Sequence, residues 1–457
     1  MSTSGLDRLT PLDASNLRVE AHGLPMNVAA VAILEGAPLL DPTGELALER
    51  VRVAVERRLH LAPRLRQALF TPRFGLGPPL WIDDASFDIR EHVHARPVPA
   101  PGDEGTLLRL CAELNRPPLD RSRPLWEMWF LTGLADGTVA LLIRMHHVVA
   151  DGIAALALLA TFLDPTPDAQ GSEAPTWIPR QKPDTSAVFA DNVRHRVIAV
   201  GAGLTRLGHP GALLRRLDIF VRQVRQIRRE GRAPSVSFNR PVGDRHRLML
   251  VRADLESART VAHAHGAKIN DVVLAAIAGG ARALLASRGE LKPDLVLKVS
   301  VAASTRAPTE EEAPGNSVGI MVVPVPVGEP DPVRRLEEIA RSTAERKRLP
   351  PYQPSARFAQ RWMVRVMFHQ RLVNLLASNL AGAPMHLYFA GAKVLEVFQA
   401  GVVQGNLTLS VGVLSYAGQL NVDIVGDTEA VPDLTVFATG LREELERLGV
   451  RRDEVVA

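Results

Sequence analysis

The stretch R-M-H-H-V-V-A-D-G-I-A, Arg144 to Ala154, sets two adjacent histidines at the end of an apolar run and follows them, three residues later, with Asp-Gly. The run before it, T-V-A-L-L-I-R-M (Thr138 to Met145), reads as a buried strand, and Ile153 to Leu163 after it reads as a helix. Strand side chains alternate in direction, so His146 shares a face with Arg144 and Leu142, and His147 shares one with Met145 and Ile143. Only one of the two can readily enter a given cleft. Asp151 can fold back to fix the turn, and Gly152 permits a backbone angle or close approach that other residues resist. A histidine at a strand end is a good general base near neutral pH. The chain has no G-x-S-x-G elbow, no H-E-x-x-H helix and no phosphate-binding P-loop. Direct deprotonation of a substrate hydroxyl, amine or thiol is therefore the chemistry expected. The bland alternative is a strand-end pair with one histidine buried and the other solvated.

Outward from that turn, the composition is that of an ordinary globular chain. Its 457 residues can bury a large core and suggest two or three domains. Apolar residues make up 46% and charged residues 23%, the usual balance for a soluble fold. Met1 to Thr10 has no apolar h-region, so no secretory signal is expected. The longest uncharged apolar run, Ile153 to Leu163, is about half of a bilayer span, and no integral membrane segment is expected. Cys111 is the only cysteine, which rules out an intrachain disulfide and a thiolate-rich metal site and fits a reducing compartment. It stands in L-L-R-L-C-A-E-L at helical spacing and reads as a buried helix residue, not a nucleophile. Net charge is +4, and the basic region lacks aromatic interleaving, so no nucleic-acid partner is expected.

Asn27 to Leu34 (N-V-A-A-V-A-I-L) reads as a buried strand and Ala47 to Leu59 as a helix with an apolar stripe. From Asp164 a Pro-rich polar stretch marks a linker or crossover. Between Arg194 and Arg232, ten arginines stand against only Asp218 and Glu230. Within that region Leu213, Leu217, Phe220, Val224 and Ile227 recur at helical spacing. This helix is expected either to hold the protein against a lipid surface or to pack its stripe on the protein. A second unit starts near Arg247 with the strand H-R-L-M-L-V-R-A-D-L and a helix from Leu255 to His265. A long apolar helix follows from Ile269 to Leu285, with Asn270 and Asp271 at its start. V-L-K-V-S-V-A-A-S, S-V-G-I-M-V-V-P-V-P-V, Asn406 to Ser415 and Gln419 to Val425 read as strands, and Leu434 to Leu448 as a closing helix. The pattern predicts a two-domain α/β protein with mixed sheets: residues 1–180, a basic linker or crossover at 181–240, and residues 241–457.

H-H-V-V-A-D-G resembles the signature of the CoA-dependent acyltransferase superfamily, which includes chloramphenicol acetyltransferase and the condensation domains of peptide synthetases. Further stretches narrow the resemblance to the bacterial wax ester synthase/diacylglycerol acyltransferase family. They are P-L-D-R-S-R-P-L-W-E (Pro118 to Glu127), I-N-D-V-V-L-A (Ile269 to Ala275), G-N-S-V (Gly315 to Val318), A-S-N-L-A-G (Ala377 to Gly382) and L-S-Y-A-G-Q-L (Leu414 to Leu420). They fall in the family's order, and the similarity runs from about Pro11 to Leu448.

The resemblance implies two chloramphenicol-acetyltransferase-like α/β domains with the active site between them. Acyl-CoA is then the co-substrate, with no cofactor or metal. The acceptor is diacylglycerol, giving triacylglycerol, or a long-chain alcohol, giving a wax ester. By motif match His147 is the base, with His146, Asp151 and Gly152 supporting it. Asn270, at a predicted helix start, is placed by helix-end electrostatics to polarise the thioester carbonyl or orient His147. The absence of a serine or cysteine nucleophile signature fits direct transfer without a covalent intermediate. The family's lipid substrates imply peripheral association, from the cytoplasmic side, with the inner membrane or lipid droplets. Two segments depart from the pattern: Ser378 to Ala383 lacks the prolines of the family's S-N-x-P-G-P, and N-V-D-I-V-G-D replaces the superfamily's D-F-G-type segment. Two other readings stay open: acyl transfer to a polyketide or peptide-type acceptor on the same fold, and a non-catalytic lipid-droplet or lipid-binding protein.

Overall fold

The computed structural model describes residues 6–20, 25–73, 77–150, 152–169, 174–207, 231–304, 318–347 and 368–452. In chain order the strands are β1 (Asn27–Leu34), β2 (Gln67–Phe70), β3 (Leu80–Asp83), β4 (Val93–Pro97), β5 (Trp126–Thr132), β6 (Val139–His146) and β7 (His246–Asp254). β8 (Leu297–Ser304), β9 (Val318–Val325), β10 (Leu375–Ala381), β11 (Tyr388–Phe389), β12 (Ala392–Ala400), β13 (Leu409–Tyr416) and β14 (Gln419–Asp427) complete them. The helices used below are α1 (Pro11–Glu20), α2 (Leu48–Glu56), α3 (Glu104–Asn115), α4 (Gly152–Ala160), α5 (Thr185–Leu207), α6 (Leu255–Ala264), α7 (Ile269–Ser287), α8 (Pro332–Arg346) and α9 (Leu434–Arg447). Two mixed six-stranded sheets have the orders β11-β12-β1-β6-β5-β4 and β7-β14-β13-β10-β8-β9, and β2 and β3 form a separate hairpin.

β1 and β6 are central in the first sheet, which explains why their sequences are apolar without alternation: both faces are covered. Val31, Ala140 and Leu142 pack on Leu107, Leu110 and Cys111 of α3. Burial in that layer pushes the Cys111 thiol up to about 12, which makes it inert as a nucleophile. The opposite face, with Leu34, Leu141 and Ile143, packs with Val51 and Val55 of α2 and with side chains of α4.

In the second half α7 is long and apolar enough to cross a membrane, but it is a core helix. Val272, Leu274, Ile277 and Leu284 are fully buried among the side chains of the second sheet and α9. Glycine at 279 makes the close approach possible, because a Cβ there would overlap the side chain of Glu444 on α9.

The division expected at residue 241 is crossed by one strand pair. β11 and β12 come late in the sequence yet join the first sheet, where Ala400 of β12 stands opposite Ala29 of β1. Lys393 and Glu396 within A-K-V-L-E-V-F-Q-A disguise β12 as a surface segment. Burial of Glu396 is made possible by Arg252 of β7, which donates to both of its oxygens at 2.7 and 2.9 Å and also reaches Glu104 of α3 at 2.6 Å. This triad ties the second sheet to the first. The arginine-rich helix expected from Leu213 to Arg229 lies outside the described residues.

Candidate active site

β6 ends at His146, and the chain turns there between two neighbours. His146 N donates to Leu125 O (3.0 Å), and His147 N donates to Met26 O just before β1 (2.7 Å). The alternation expected from the sequence separates the two rings: His146 is buried and His147 half-buried. His146 Nδ1 accepts from Val148 N at 3.0 Å, so in the neutral ring Nε2 carries the proton. That Nε2 lies 3.4 Å from Glu20 Oε2, a contact outside good hydrogen-bond geometry. Burial opposes ionisation of Glu20, but His146 and Arg121 together outweigh it and hold the carboxyl below its usual range.

His147 carries on the face of Ile143 and Met145, and its Nδ1 lies 3.5 Å from Asn16 Nδ2. Asn16 and Glu20 sit one turn apart on α1, so a single helix lies across both histidines. Sequence reasoning missed this helix. The only signal was the spacing of four between Asn16 and Glu20, because P-L-D-A-S-N-L-R-V-E has no pronounced apolar stripe. Gly152 opens α4 directly after the turn, whereas Asp151 lies outside the described residues.

On the face that His147 extends, the first sheet and α4 enclose a cavity of about 410 Å³. Ala30, Ala32, Leu141 and Ile143 form its floor, Leu156, Ala157 and Ala160 of α4 its roof, and Leu414 and Tyr416 of β13 close one side. Small residues on both floor and roof leave the space open. The lining is apolar apart from Tyr416, whose hydroxyl is occupied by Leu387 N (2.8 Å) and Val394 O (3.1 Å).

β12 meets the second sheet in step: Tyr416 Oη donates to Val394 O, Asn421 Nδ2 to Val397 O (3.0 Å), Gln399 Nε2 to Val413 O (2.6 Å) and Gly401 N to Asp423 Oδ2 (3.2 Å). Ala400 pairs with Ala29, and Asn27 pairs with His146, so Asp423 lies toward the histidine end and Tyr416 toward the far end. Asp423 is fully buried, with Oδ1 unpartnered among the described residues, and glycine at 412 leaves room for it. Burial pushes its carboxyl up to about 7 despite the hydrogen bond from Gly401. The sequence marked this segment only as a departure from a pattern.

Asn270 is not brought to the histidines. It is half-buried in the first turn of α7 and makes no side-chain hydrogen bond among the described residues. Val273, one turn on, packs near Leu420, which places this helix start beside the β13–β14 turn at the far end of the second sheet. Its neighbour accounts for the motif structurally: Asp271 accepts from Lys268 N (2.9 Å) and Thr343 Oγ1 (2.7 Å).

Residues 9–273 match the wax ester synthase/diacylglycerol acyltransferase catalytic domain, and residues 314–449 match the C-terminal domain of the same family. The chain belongs to the wax ester synthase/diacylglycerol acyltransferase family. It is an acyltransferase of that family, as the histidine motif led us to expect. A Mycobacterium tuberculosis protein described as a probable diacylglycerol O-acyltransferase is 31% identical over 472 residues, covering 97% of this chain and 96% of that protein. The structure of a wax ester synthase/diacylglycerol acyltransferase from Marinobacter aquaeolei VT8 superposes with a TM-score of 0.69 at 23% identity, over 96% of this chain and 98% of that one. A starter condensation domain of rhizomide synthetase, solved with C8-CoA, gives 0.61 at 14% identity over 98% and 96%. These likenesses bear out the chloramphenicol-acetyltransferase-like fold.

Proposed function

We propose that this acyltransferase moves a fatty acyl group from acyl-CoA to the hydroxyl of diacylglycerol or a long-chain alcohol, with His147 as general base. The observation that carries this reading is the apolar cavity on the face that His147 extends. An apolar cavity of about 150 Å³ takes one benzene, so by proportion 410 Å³ has room for roughly sixteen carbons of chain. The acceptor hydroxyl gives its proton to His147 as its oxygen attacks the thioester carbonyl. The tetrahedral intermediate then collapses, the C–S bond breaks, and the imidazolium returns the proton to the departing CoA thiolate.

The surrounding residues have supporting roles. Abstraction by Nε2 needs the other proton on Nδ1; exchange of Asn16 Nδ2, 3.5 Å from that nitrogen, for Oδ1 by an amide flip holds that tautomer. His146, held by Val148 N and facing Glu20, fixes the turn. Asp151 and Gly152 complete it, as the motif implies. Acceptor and product are insoluble, so the protein works in peripheral contact with a membrane or lipid-droplet surface.

Incubation of the pure protein with radiolabelled palmitoyl-CoA and either dioleoylglycerol or hexadecanol, followed by lipid separation, tests the reading. Labelled triacylglycerol or wax ester is the expected product. Label confined to palmitoyl-CoA and free palmitate would overturn it.

A further inference from the structure

Over its described side chains, residues 185–198, helix α5 is docked by one face. Val188 and Asn192 are buried, and Arg8 grips the helix there, donating from Nε to Asp191 Oδ2 (2.6 Å) and from Nη2 to Val188 O (3.1 Å). At 3.6 residues per turn, Phe189, Val193 and Val197 form a row at spacings of four that starts on the flank of the buried face and winds to the side opposite it. They are 56%, 41% and 64% exposed. Of ten large hydrophobic side chains exposed among the described residues, three form this one row, so it is a patch and not scatter. A helix that packs only on its own protein turns its apolar row inward. Here the row points out.

The charges around the row are of one sign. Arg194 and Arg196 are both exposed and flank it on either side, while the nearest carboxylate, Asp191, is turned inward to Arg8. Aliphatic and aromatic side chains edged by guanidinium groups suit an interface with apolar chains below and phosphates above. We infer that the outer face of α5 docks on an anionic lipid surface. This deepens the peripheral association proposed above, on which it rests, by assigning the contact to particular residues. The docking is connected to the site: Arg8, which holds α5, stands three residues before α1, the helix that carries Asn16 to His147 and Glu20 to His146.

Sedimentation of the full-length protein with phosphatidylcholine vesicles, with and without phosphatidylglycerol, tests the assignment at low and high salt. The parent should bind the phosphatidylglycerol vesicles, and less so at high salt. Phe189→Ser/Val193→Ser/Val197→Ser should weaken that binding by about tenfold or more, with thermal unfolding unchanged. Arg194→Gln/Arg196→Gln, a milder change that decides the matter should the triple variant unfold, should weaken it by about tenfold. A parent that binds no vesicle would overturn both the association and the assignment. A parent that binds, with both variants binding as well as it does, would overturn the assignment alone. A parent dimer that the triple variant dissociates, without effect on vesicle binding, would show a second copy on this face and also overturn it.

Discussion

The histidine turn and the start of α7 place similar polar residues at the head of an apolar helix, and the structure uses them for opposite ends. At the turn, His146 and His147 meet Glu20 and Asn16 from another element, and the face of His147 leads to an open cavity. At α7, Asp271 gives both oxygens to Lys268 N and Thr343, and the helix behind it packs against α9 with a void of only about 10 Å³ between them. Residue type does not separate the two motifs. What separates them is whether the sheet face they stand on carries space for a ligand, and that is a property of the sheet beneath.

Paired variants separate the two motifs. His147→Ala should lower acyl transfer by roughly two to four orders of magnitude with melting unchanged, as for loss of a general base. Asp271→Ala should leave the turnover of folded protein within about threefold but cost about 1–3 kcal/mol in urea unfolding, because Thr343 Oγ1 and Lys268 N lose a buried acceptor. Equal rate losses at unchanged stability would erase the distinction.

Asp423 sharpens it from the other wall of the interface. Its carboxyl is raised from 3.8 to about 7 by burial, so the folded state holds a proton that the unfolded state releases first. Stability from this group is therefore full below the unfolded value and is lost as pH rises from about 4 to 7, by roughly 4 kcal/mol at 1.36 per pH unit. Asp423→Asn should flatten that slope and raise the melting temperature at pH 8 more than at pH 4. An unchanged slope would mean the group is ionised inside the fold.

Smaller effects are expected deeper in the cavity and on α1. Ala157→Phe should fill part of the cavity and lower kcat/KM for palmitoyl-CoA about tenfold while sparing octanoyl-CoA. Equal losses on both donors would place the chain elsewhere. Asn16→Ala should reduce kcat a few-fold with KM unchanged and shift the pH profile of kcat, since Asn16 acts through the His147 ring. A change in KM alone would mark Asn16 as a binding residue.

Much of the first sheet was legible because its central strands are buried on both faces. Asn27 to Leu34 is β1 residue for residue, and Thr138 to Met145 differs from β6 by one position at each end. Alternation likewise foretold that His146 and His147 part company. Other parts were hidden for physical reasons. Lys393 and Glu396 made β12 look exposed, since Arg252, the partner of Glu396, is distant in sequence. Asn16 and Glu20 reach the histidines only through tertiary placement of α1. The helix-start argument for Asn270 was sound as electrostatics but could not say at which end of the sheet that helix begins.

The central claim is direct transfer through His147, and rapid mixing of the enzyme with palmitoyl-CoA, following free CoA thiol with and without hexadecanol, tests it most closely. Direct transfer gives no burst of CoA without the alcohol, and steady release with it. A burst equal to the enzyme concentration in the absence of acceptor would show an acyl-enzyme and contradict it.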